Sequence, residues 1–350
     1  MHTSGTQKNR EDPVGAAPTP RRRRLTATLA IIFAPLLAIG SVFAIVFLTP
    51  PPDRNPFTDV SLYADPDSLA ANAATDATRA GQTANAAIYQ RLADTPAAIW
   101  LTPEEYPRGE VGTYVRQVTG DAFRTGRLPV FVVYGVPNRD CGNESSGGLA
   151  NTSEYQSWVG EIATAGQEAS AESEKSPIFI VEPDALALAQ QCNNESERVA
   201  EVRSAVDILH ESKATIYLDG GHSTWRTPED MAALLNGAGI SEARGFASNV
   251  SNYNADDIEH TYAEKLSALT GNSHYVIDTS RNGLGSNGDW CNPSGRALGQ
   301  TPGIVTDDSH HDANLWIKAP GESDGQCNGG PVAGAWWPTS ALELTRNAGW

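Results

Sequence analysis

The chain has 350 residues, of which 40% are hydrophobic and 19% charged, and its formal net charge is −17. This composition is typical of a globular protein, and the length allows one large α/β domain behind a short terminal segment. The acidic balance disfavours nucleic acid and other polyanions as partners, but it does not penalise a neutral polymer.

The N-terminal segment predicts a membrane anchor. Residues 1–24 are predicted to form a basic cytoplasmic tail, which ends in four arginines, and residues 25–48 carry no charge. That run is long enough to span a hydrocarbon core of about 30 Å, and the arginines should stay in the cytoplasm, so we expect the rest of the chain outside. The alternative is secretion after cleavage of a signal peptide, although the run is long and its end is a poor cleavage site.

Residues 49–55 hold three consecutive prolines and are predicted to be a linker, and residues 56–350 are predicted to be one domain. In that domain, short apolar runs alternate with helical segments. Strands are predicted at 97–102, 129–134, 178–181, 215–218, 245–250, 274–278 and 314–317, and helices at 155–171, 196–211, 228–238 and 257–269. Ser196 is a plausible N-cap. Most runs lack period-two alternation, which indicates parallel strands buried on both faces of an α/β barrel or a doubly wound sheet.

Cysteine and histidine usage predicts no metal centre. Cys141, Cys192, Cys291 and Cys327 show no zinc-binding spacing, and they allow three pairings. An exported chain is expected to form two disulfides, whereas a cytosolic one would keep free thiols. We interpret His310-His311-Asp312 as a solvated loop.

Acidic residues follow several predicted strands, inside turns rich in glycine and proline. They are Asp140, Asp184, Asp219 and Asp324. A single aspartate after a strand is usually a helix cap or a turn former. Four of them are better explained by a catalytic cluster, because the carboxyl ends of parallel strands share one face of a barrel.

Aromatic and basic residues in the same turns indicate the kind of substrate. Trp225 and Trp290 lie among Gly, Pro and Asn, so we expect both to be exposed in the cleft, with Lys318 and Arg281 nearby. Tryptophan faces suit the apolar faces of sugar rings, and charged groups suit sugar hydroxyls. Trp316, Trp336 and Trp337 are expected to pack in the core.

Six segments carry a resemblance to a known family. They read YGVPNRDC, VEPDALAL, YLDGGHSTW, SNVSNY, DWCNPSGRALG and WIKAPGESDG. In order and spacing these segments resemble glycoside hydrolase family 6, the family of cellulases, nearest the actinobacterial and mycobacterial endoglucanases. The resemblance runs from about residue 56 to residue 350. It implies a catalytic domain with a distorted barrel of about seven parallel strands.

The resemblance also implies residue roles. Asp184 matches the general acid, Asp140 the aspartate that raises the pKa of that acid, and Asp324 the proposed base or cation stabiliser. The matching substrate-binding residues are Tyr134, Asp219, His222, Trp225, Asn249, Asn252, Trp290, Lys318 and Glu322. The implied disulfides join Cys141 to Cys192 and Cys291 to Cys327.

The predicted activity is inverting endo-hydrolysis of a β-1,4-glucan. One protonated carboxyl acts as the acid, and a second group activates a water molecule on the opposite face of the sugar. The identity of the base stays open. We expect no cofactor, no metal and a monomer. Short loops near residues 142–153 and 291–327 predict an open cleft. The alternatives are a membrane-tethered glucan-binding protein with weak or no hydrolysis, and a hydrolase of another neutral cell-surface glucan.

Overall fold

Parallel strands form the centre of the computed structural model, which describes residues 54–350 apart from residues 172, 174, 308 and 309. The strands are β1 (Ser61–Leu62), β2 (Ile99–Leu101), β3 (Arg127–Leu128), β4 (Val130–Val133), β5 (Ile178–Val181), β6 (Thr215–Asp219), β7 (Gly245–Ser248), β8 (His274–Asp278), β9 (Gly303–Ile304) and β10 (His311–Leu315). The helices are α1 (Leu69–Arg79), α2 (Thr83–Ala93), α3 (Val111–Arg124), α4 (Thr152–Ala171), α5 (Ala185–Leu188), α6 (Glu195–Glu211), α7 (Pro228–Gly237), α8 (Asp256–Leu269) and α9 (Pro338–Asn347).

The main sheet has the order β2-β4-β5-β6-β7-β8-β10-β9, and only the short β9 runs antiparallel to its neighbour. The sheet curls until its first strand approaches the end of β10. There Ala98 N donates to the Trp316 carbonyl at 2.8 Å, and Trp100 Nε1 donates to the Ile317 carbonyl at 2.8 Å. The structure therefore confirms an α/β fold with seven parallel strands in its described part, arranged as a curled half-barrel.

Burial on both faces of the sheet explains the unbroken apolar runs. In β4, Phe131 and Val133 pack outward in the cluster that includes the helices, whereas Val130 and Val132 pack inward with residues of the other strands. Both faces are thus removed from water, and the strands need no alternation. At the start of β7, Gly245 lies opposite His274, and a Cβ there would come within 1.7 Å of the His274 carbonyl oxygen.

Local signals set the helix starts, with one correction. Thr227 caps α7 by accepting a hydrogen bond from Asp230 N at 3.1 Å, and Pro228 occupies the first turn. The prediction that Ser196 caps α6 is wrong, because Asn194 is the N-cap. Ser196 instead lies in the first turn of the helix.

The last parallel strand begins earlier than the sequence predicts. It covers His311–Leu315 rather than 314–317. His311 and Asp312 are buried, so the interpretation of the segment around them as a solvated loop is wrong. Asp312 is retained inside because Tyr217 Oη donates to it at 2.6 Å and Arg244 Nε donates at 2.7 Å.

The predicted tail (residues 1–24) and anchor (residues 25–48) lie outside the described residues. Among the residues that the structure does describe, no helix is both long enough and apolar enough to cross a membrane. Residues 55–350 form one compact unit.

Candidate active site

A cleft of about 1740 Å³ crosses the face formed by the carboxyl ends of the strands. The sequence-predicted residues that line it are Tyr134, Asp140, Asp184, His222, Trp225, Asn252, Trp290, Lys318, Glu322 and Asp324. Residues separated by 190 positions in the sequence therefore meet in one site. Two further predicted residues, Asp219 and Asn249, are buried outside this lining.

Asp184 lies at the end of β5 in an unusual backbone conformation. Its φ of 69° is left-handed, and α5 begins at the next residue. Burial raises the pKa of the Asp184 carboxyl well above its usual value, and the carboxylates of Asp219, Asp140 and Asp324 raise it further, while Lys318 lowers it. The side chain is thereby suited to hold its proton to a higher pH than an ordinary aspartate does.

Asp219 stabilises the turn that contains Asp184 through hydrogen bonds to the backbone. It is only 2% exposed, and its Oδ2 accepts hydrogen bonds from Asp184 N at 3.0 Å and from Gly221 N at 3.1 Å. Burial raises the pKa of Asp219 to about 7, against the effect of these two N–H donors. The structure places Asp219 outside the cleft lining, where its hydrogen bonds fix the backbone of the general-acid candidate.

Residues 134–151 form the Asp140 loop, which follows β4. Ser145 N donates to Asp140 Oδ2 at 2.8 Å, so the loop backbone orients the carboxylate. Arg139 holds the loop by donating to the Tyr134 carbonyl at 2.7 Å and to Glu104 Oε2 at 3.2 Å. Burial raises the pKa of Asp140, against the hydrogen bond from Ser145.

Residues 318–336 form the Asp324 loop, which follows β10. The carboxylate of Asp324 pairs with the buried Arg281 at 2.9 Å and accepts from Tyr253 Oη and from Asn292 N, each at 3.0 Å. Sequence reasoning identified neither Tyr253 nor Asn292, although both lie in the segments SNVSNY and DWCNPSGRALG. Three donors occupy this carboxylate and hold it in a fixed orientation.

Lys318 and Glu322 form a polar pair at the start of the same loop. Lys318 Nζ lies 3.8 Å from Glu322 Oε2. Burial raises the pKa of Glu322, against the charge of Lys318. The buried Asp278 at the end of β8 accepts from Lys318 N at 3.0 Å and from Ser251 N at 3.0 Å, which ties three strand ends together.

Asn249 and Asn252 follow β7 and are placed differently. Asn249 is fully buried, and its Nδ2 donates to the carbonyls of Asp278 and Asn254 at 3.0 and 3.3 Å. The expectation that Asn249 contacts the substrate is therefore not supported by its position. Asn252 does line the cleft.

Aromatic rings lie along the cleft. Trp290 is 60% exposed, and the rings of Trp225 and His222 lie 5.3 Å apart. Burial lowers the pKa of His222 to about 4, so this imidazole is neutral at ordinary pH. Sequence reasoning missed Trp100 and assigned Trp336 to the core, but both line the cleft. Trp100 lies inside the first predicted strand, near the carboxyl end where the other site residues follow their strands.

The two disulfides join Cys141 to Cys192 and Cys291 to Cys327, with Cα–Cα distances of 5.9 and 6.2 Å. This confirms the predicted pairing. Each bridge anchors one of the two loops, since Cys141 follows Asp140 and Cys327 lies three residues after Asp324. Within residues 54–350 as described, no group of three or more His, Cys, Asp or Glu side chains is arranged to hold a metal ion.

A half-barrel of parallel strands, with an aromatic-lined cleft and a proton-holding aspartate among other carboxylates, defines the class of α/β-barrel glycoside hydrolases. Within that class the chain belongs to the glycosyl hydrolases family 6, whose family model matches residues 57–348. The resemblance inferred from six short segments is thereby confirmed over the whole domain.

Named relatives share this family. Endoglucanase A from Cellulomonas fimi is 44% identical over 267 residues, which cover 75% of this chain and 57% of that protein. Endoglucanase 1 from Streptomyces halstedii is 36% identical over 333 residues, 91% of this chain and 99% of that protein. The chain spans only 57% and 63% of the length of the first two relatives, the second being endoglucanase A from Thermobispora bispora.

The fold is also similar to a solved structure. The endoglucanase Cel6 from Mycobacterium tuberculosis, in complex with methyl-cellobiosyl-4-deoxy-4-thio-β-D-cellobioside, is 44% identical with a TM-score of 0.78. The match covers 85% of this chain and 100% of that one. Endoglucanase Cel6B from Humicola insolens is 25% identical, with a TM-score of 0.71 over 84% of this chain and 98% of that chain.

Proposed function

We propose that this chain hydrolyses internal bonds of a β-1,4-glucan with inversion, and that Asp184 is the general acid. The observation that carries the proposal is the pKa of Asp184, raised by burial and by three neighbouring carboxylates inside an aromatic-lined cleft. Glycoside cleavage needs one such protonated carboxyl to protonate the leaving oxygen. The names and the bound ligand of the relatives support a β-1,4-glucan as the substrate.

In the proposed mechanism the other carboxylates have separate tasks. Asp140 raises the pKa of Asp184 and contacts the water that attacks the opposite face of the sugar. Asp324, held by Arg281, stabilises the positive charge that develops on the sugar ring. Trp225 and Trp290 stack against glucosyl units, and Lys318 and Glu322 bind hydroxyl groups.

The test uses the full-length chain on a soluble, neutral β-1,4-glucan such as hydroxyethyl cellulose. Internal cleavage should lower viscosity much faster than reducing ends accumulate, and NMR of the initial products should show the α-anomer. Slow loss of viscosity with release of cellobiose would contradict endo action. Binding without any new reducing ends would favour the alternative of a glucan-binding protein.

We further propose that residues 25–48 anchor the domain outside the cytoplasmic membrane. The four arginines before this uncharged run support the orientation. The full-length protein should fractionate with membranes, and protease added from outside should reach the domain. Recovery of a soluble form that begins near residue 50 would indicate a cleaved signal peptide instead.

A further inference from the structure

Glu259 is a buried carboxylate in the first turn of α8, and the proposed mechanism does not use it. Its Oε1 accepts from Ser223 N at 3.0 Å and from Ser223 Oγ at 2.6 Å, and its Oε2 accepts from Ser248 Oγ at 2.5 Å. A buried carboxylate is costly unless donors surround it, and these three donors offset that cost. Glu259 therefore joins the turn that follows β6 to the end of β7.

The same carboxylate is connected to the cleft through Asn254. Burial raises the pKa of Glu259, and a hydrogen bond from the Asn254 side chain acts against that rise. Asn254 Nδ2 also lies 3.1 Å from His222 Nδ1. The backbone of Asn254 is fixed as well, because its N–H donates to Asn249 Oδ1 at 3.2 Å and its carbonyl accepts from Asn282 Nδ2 at 3.2 Å. Glu259, Asn254 and His222 thus form one hydrogen-bonded chain from the interior to a residue that lines the cleft.

This hydrogen-bonded chain fixes the tautomer of His222. The Asn254 amide nitrogen can only donate, and so can Thr224 N, which lies 3.4 Å from the same Nδ1; the Thr224 hydroxyl, at 3.1 Å, can donate too. Nδ1 must therefore accept, and the proton of the neutral imidazole lies on Nε2. Burial lowers the pKa of His222 to about 4, so the ring is neutral at ordinary pH. Among the described residues no hydrogen bond engages Nε2, and its N–H is left for a ligand in the cleft.

We propose that Glu259 is a positioning residue that acts through Asn254 to keep the His222 proton on Nε2, so that the imidazole donates a hydrogen bond to a hydroxyl group of the bound glucan. This inference deepens the proposed endoglucanase activity and rests on it. A carboxylate can only accept, so it turns the Asn254 amide until the amide nitrogen faces both Glu259 and His222. The tautomer of His222 is thus set by a buried charge that does not contact the substrate.

The first test replaces Glu259 by glutamine in the full-length chain. The glutamine nitrogen donates, so the Asn254 amide should rotate and present its oxygen to both neighbours. His222 then carries its proton on Nδ1 and offers only an acceptor to the glucan. Imidazole ¹⁵N NMR of the substrate-free protein should show that the protonated and unprotonated nitrogens of His222 have exchanged. The His222 resonances are assigned by their loss in His222→Gln.

Kinetics measure the consequence for the substrate. Loss of one hydrogen bond should raise KM for a soluble cello-oligosaccharide by roughly three- to tenfold in Glu259→Gln, with kcat changed much less. Asn254→Ala removes the link but keeps the carboxylate, so both tautomers of His222 should be populated. This second variant carries the NMR test if Glu259→Gln does not fold.

Tyr262→Phe is the matched control for a purely structural role. Tyr262 lies on the same helix as Glu259, and its Oη donates to the Gly220 carbonyl at 2.9 Å in the same turn after β6. The variant therefore removes one buried hydrogen bond between α8 and this turn but leaves the chain from Glu259 to His222 intact. It should lower the melting temperature while the His222 tautomer and KM stay unchanged.

The outcomes separate this inference from the proposed function. A His222 proton on Nδ1 in the unmodified chain would overturn the inference, as would an Nε2 proton retained in the folded variants. Equal increases of KM in Glu259→Gln and Tyr262→Phe would also overturn it, since the role of Glu259 would then be structural. An inverted tautomer with an unchanged KM would show that Nε2 does not bind the glucan. The NMR measurement needs no substrate, so a complete lack of hydrolysis by the unmodified chain would refute the proposed endoglucanase activity by itself.

Discussion

Asp184 is the residue on which the proposed chemistry depends most directly. In Asp184→Asn the proton donor is absent while the side-chain volume is retained, so hydrolysis of an unactivated glucan should slow by about 10²–10⁴-fold. Aryl cellobiosides with good leaving groups need little protonation and should lose much less. The measurement is kcat/KM across leaving groups of graded acidity. Equal losses along that series would remove Asp184 from the role of acid.

The charges around Asp184 predict where activity falls as the pH rises. Because the acid must be protonated, activity is lost above its pKa, which Asp140 raises and Lys318 lowers. Asp140→Asn should therefore shift the alkaline limb of kcat/KM to lower pH, and Lys318→Met should shift it to higher pH. Both variants should be slower overall, so the position of the limb is the readout. Shifts of the same sign in both variants would contradict the assignment.

Some site residues could be predicted from the sequence, and others could not. The acidic strand ends were identifiable because Asp140, Asp184 and Asp324 lie in turns that follow apolar runs. The burial of Asp219 and Asn249 depends on which strands are neighbours in the sheet, and the local sequence does not specify that order. Likewise, Tyr253 and Asn292 acquire their roles only through hydrogen bonds to a carboxylate distant in the sequence.

At the scale of the elements, the Cys291–Cys327 disulfide is expected to fix the Asp324 loop. Asn292 follows Cys291 and exchanges two hydrogen bonds with Asp324, at 3.0 and 2.9 Å. Replacing both cysteines by serine should lower kcat before it unfolds the domain, although closing a loop of this size stabilises a fold by about 3–4 kcal/mol. The measurement is activity and circular dichroism along the same temperature scan. Coincident loss of both signals would show that the bridge serves the fold alone.

The strands were more predictable than the helices that cover them. Buried parallel strands such as β5 are runs of Ile, Val and Phe, and their bounds follow from composition. The helices α1 and α2 were not predicted, because alanine supplies much of their buried faces and large apolar residues are few. They form because tertiary contacts bury residues such as Tyr89 and Leu92 against Trp316 and its neighbours. The bounds of β10 were misjudged because its first residues are polar and buried together.

At the scale of the whole molecule, stability and chemistry lie at opposite ends of the sheet. Asp312, near the start of β10, accepts from Tyr217 and Arg244, and His274 Nδ1 lies 3.1 Å from its Oδ1. Burial raises the pKa of Asp312, but these hydrogen bonds outweigh that effect and leave the pKa below its usual value. The stabilisation is therefore present above the pKa of the unfolded chain and is lost as the pH falls through the folded value.

Asp312→Asn should consequently destabilise the protein at neutral pH, by about 1–3 kcal/mol, because a neutral amide replaces the buried carboxylate that accepts hydrogen bonds from Tyr217 and Arg244. The difference from the unmodified protein should shrink below about pH 4, where the aspartate itself becomes protonated. Thermal unfolding at several pH values measures this, and activity per folded molecule should stay unchanged. Lost activity in a variant that is still folded would show that the two ends are coupled.

Asp184 has a left-handed backbone, with a φ of 69°, and this conformation destabilises the folded state. A side chain in this region stores about 1 kcal/mol or more, and a carboxyl with a raised pKa destabilises the folded state once the pH exceeds the pKa of the unfolded chain. Asp184→Gly and Asp184→Asn should therefore be inactive yet melt at a higher temperature than the unmodified enzyme at pH 7. The gain should disappear near pH 3 for asparagine and persist for glycine, which also relieves the backbone. Selection for heat resistance alone would thus discard the residue that selection for catalysis retains.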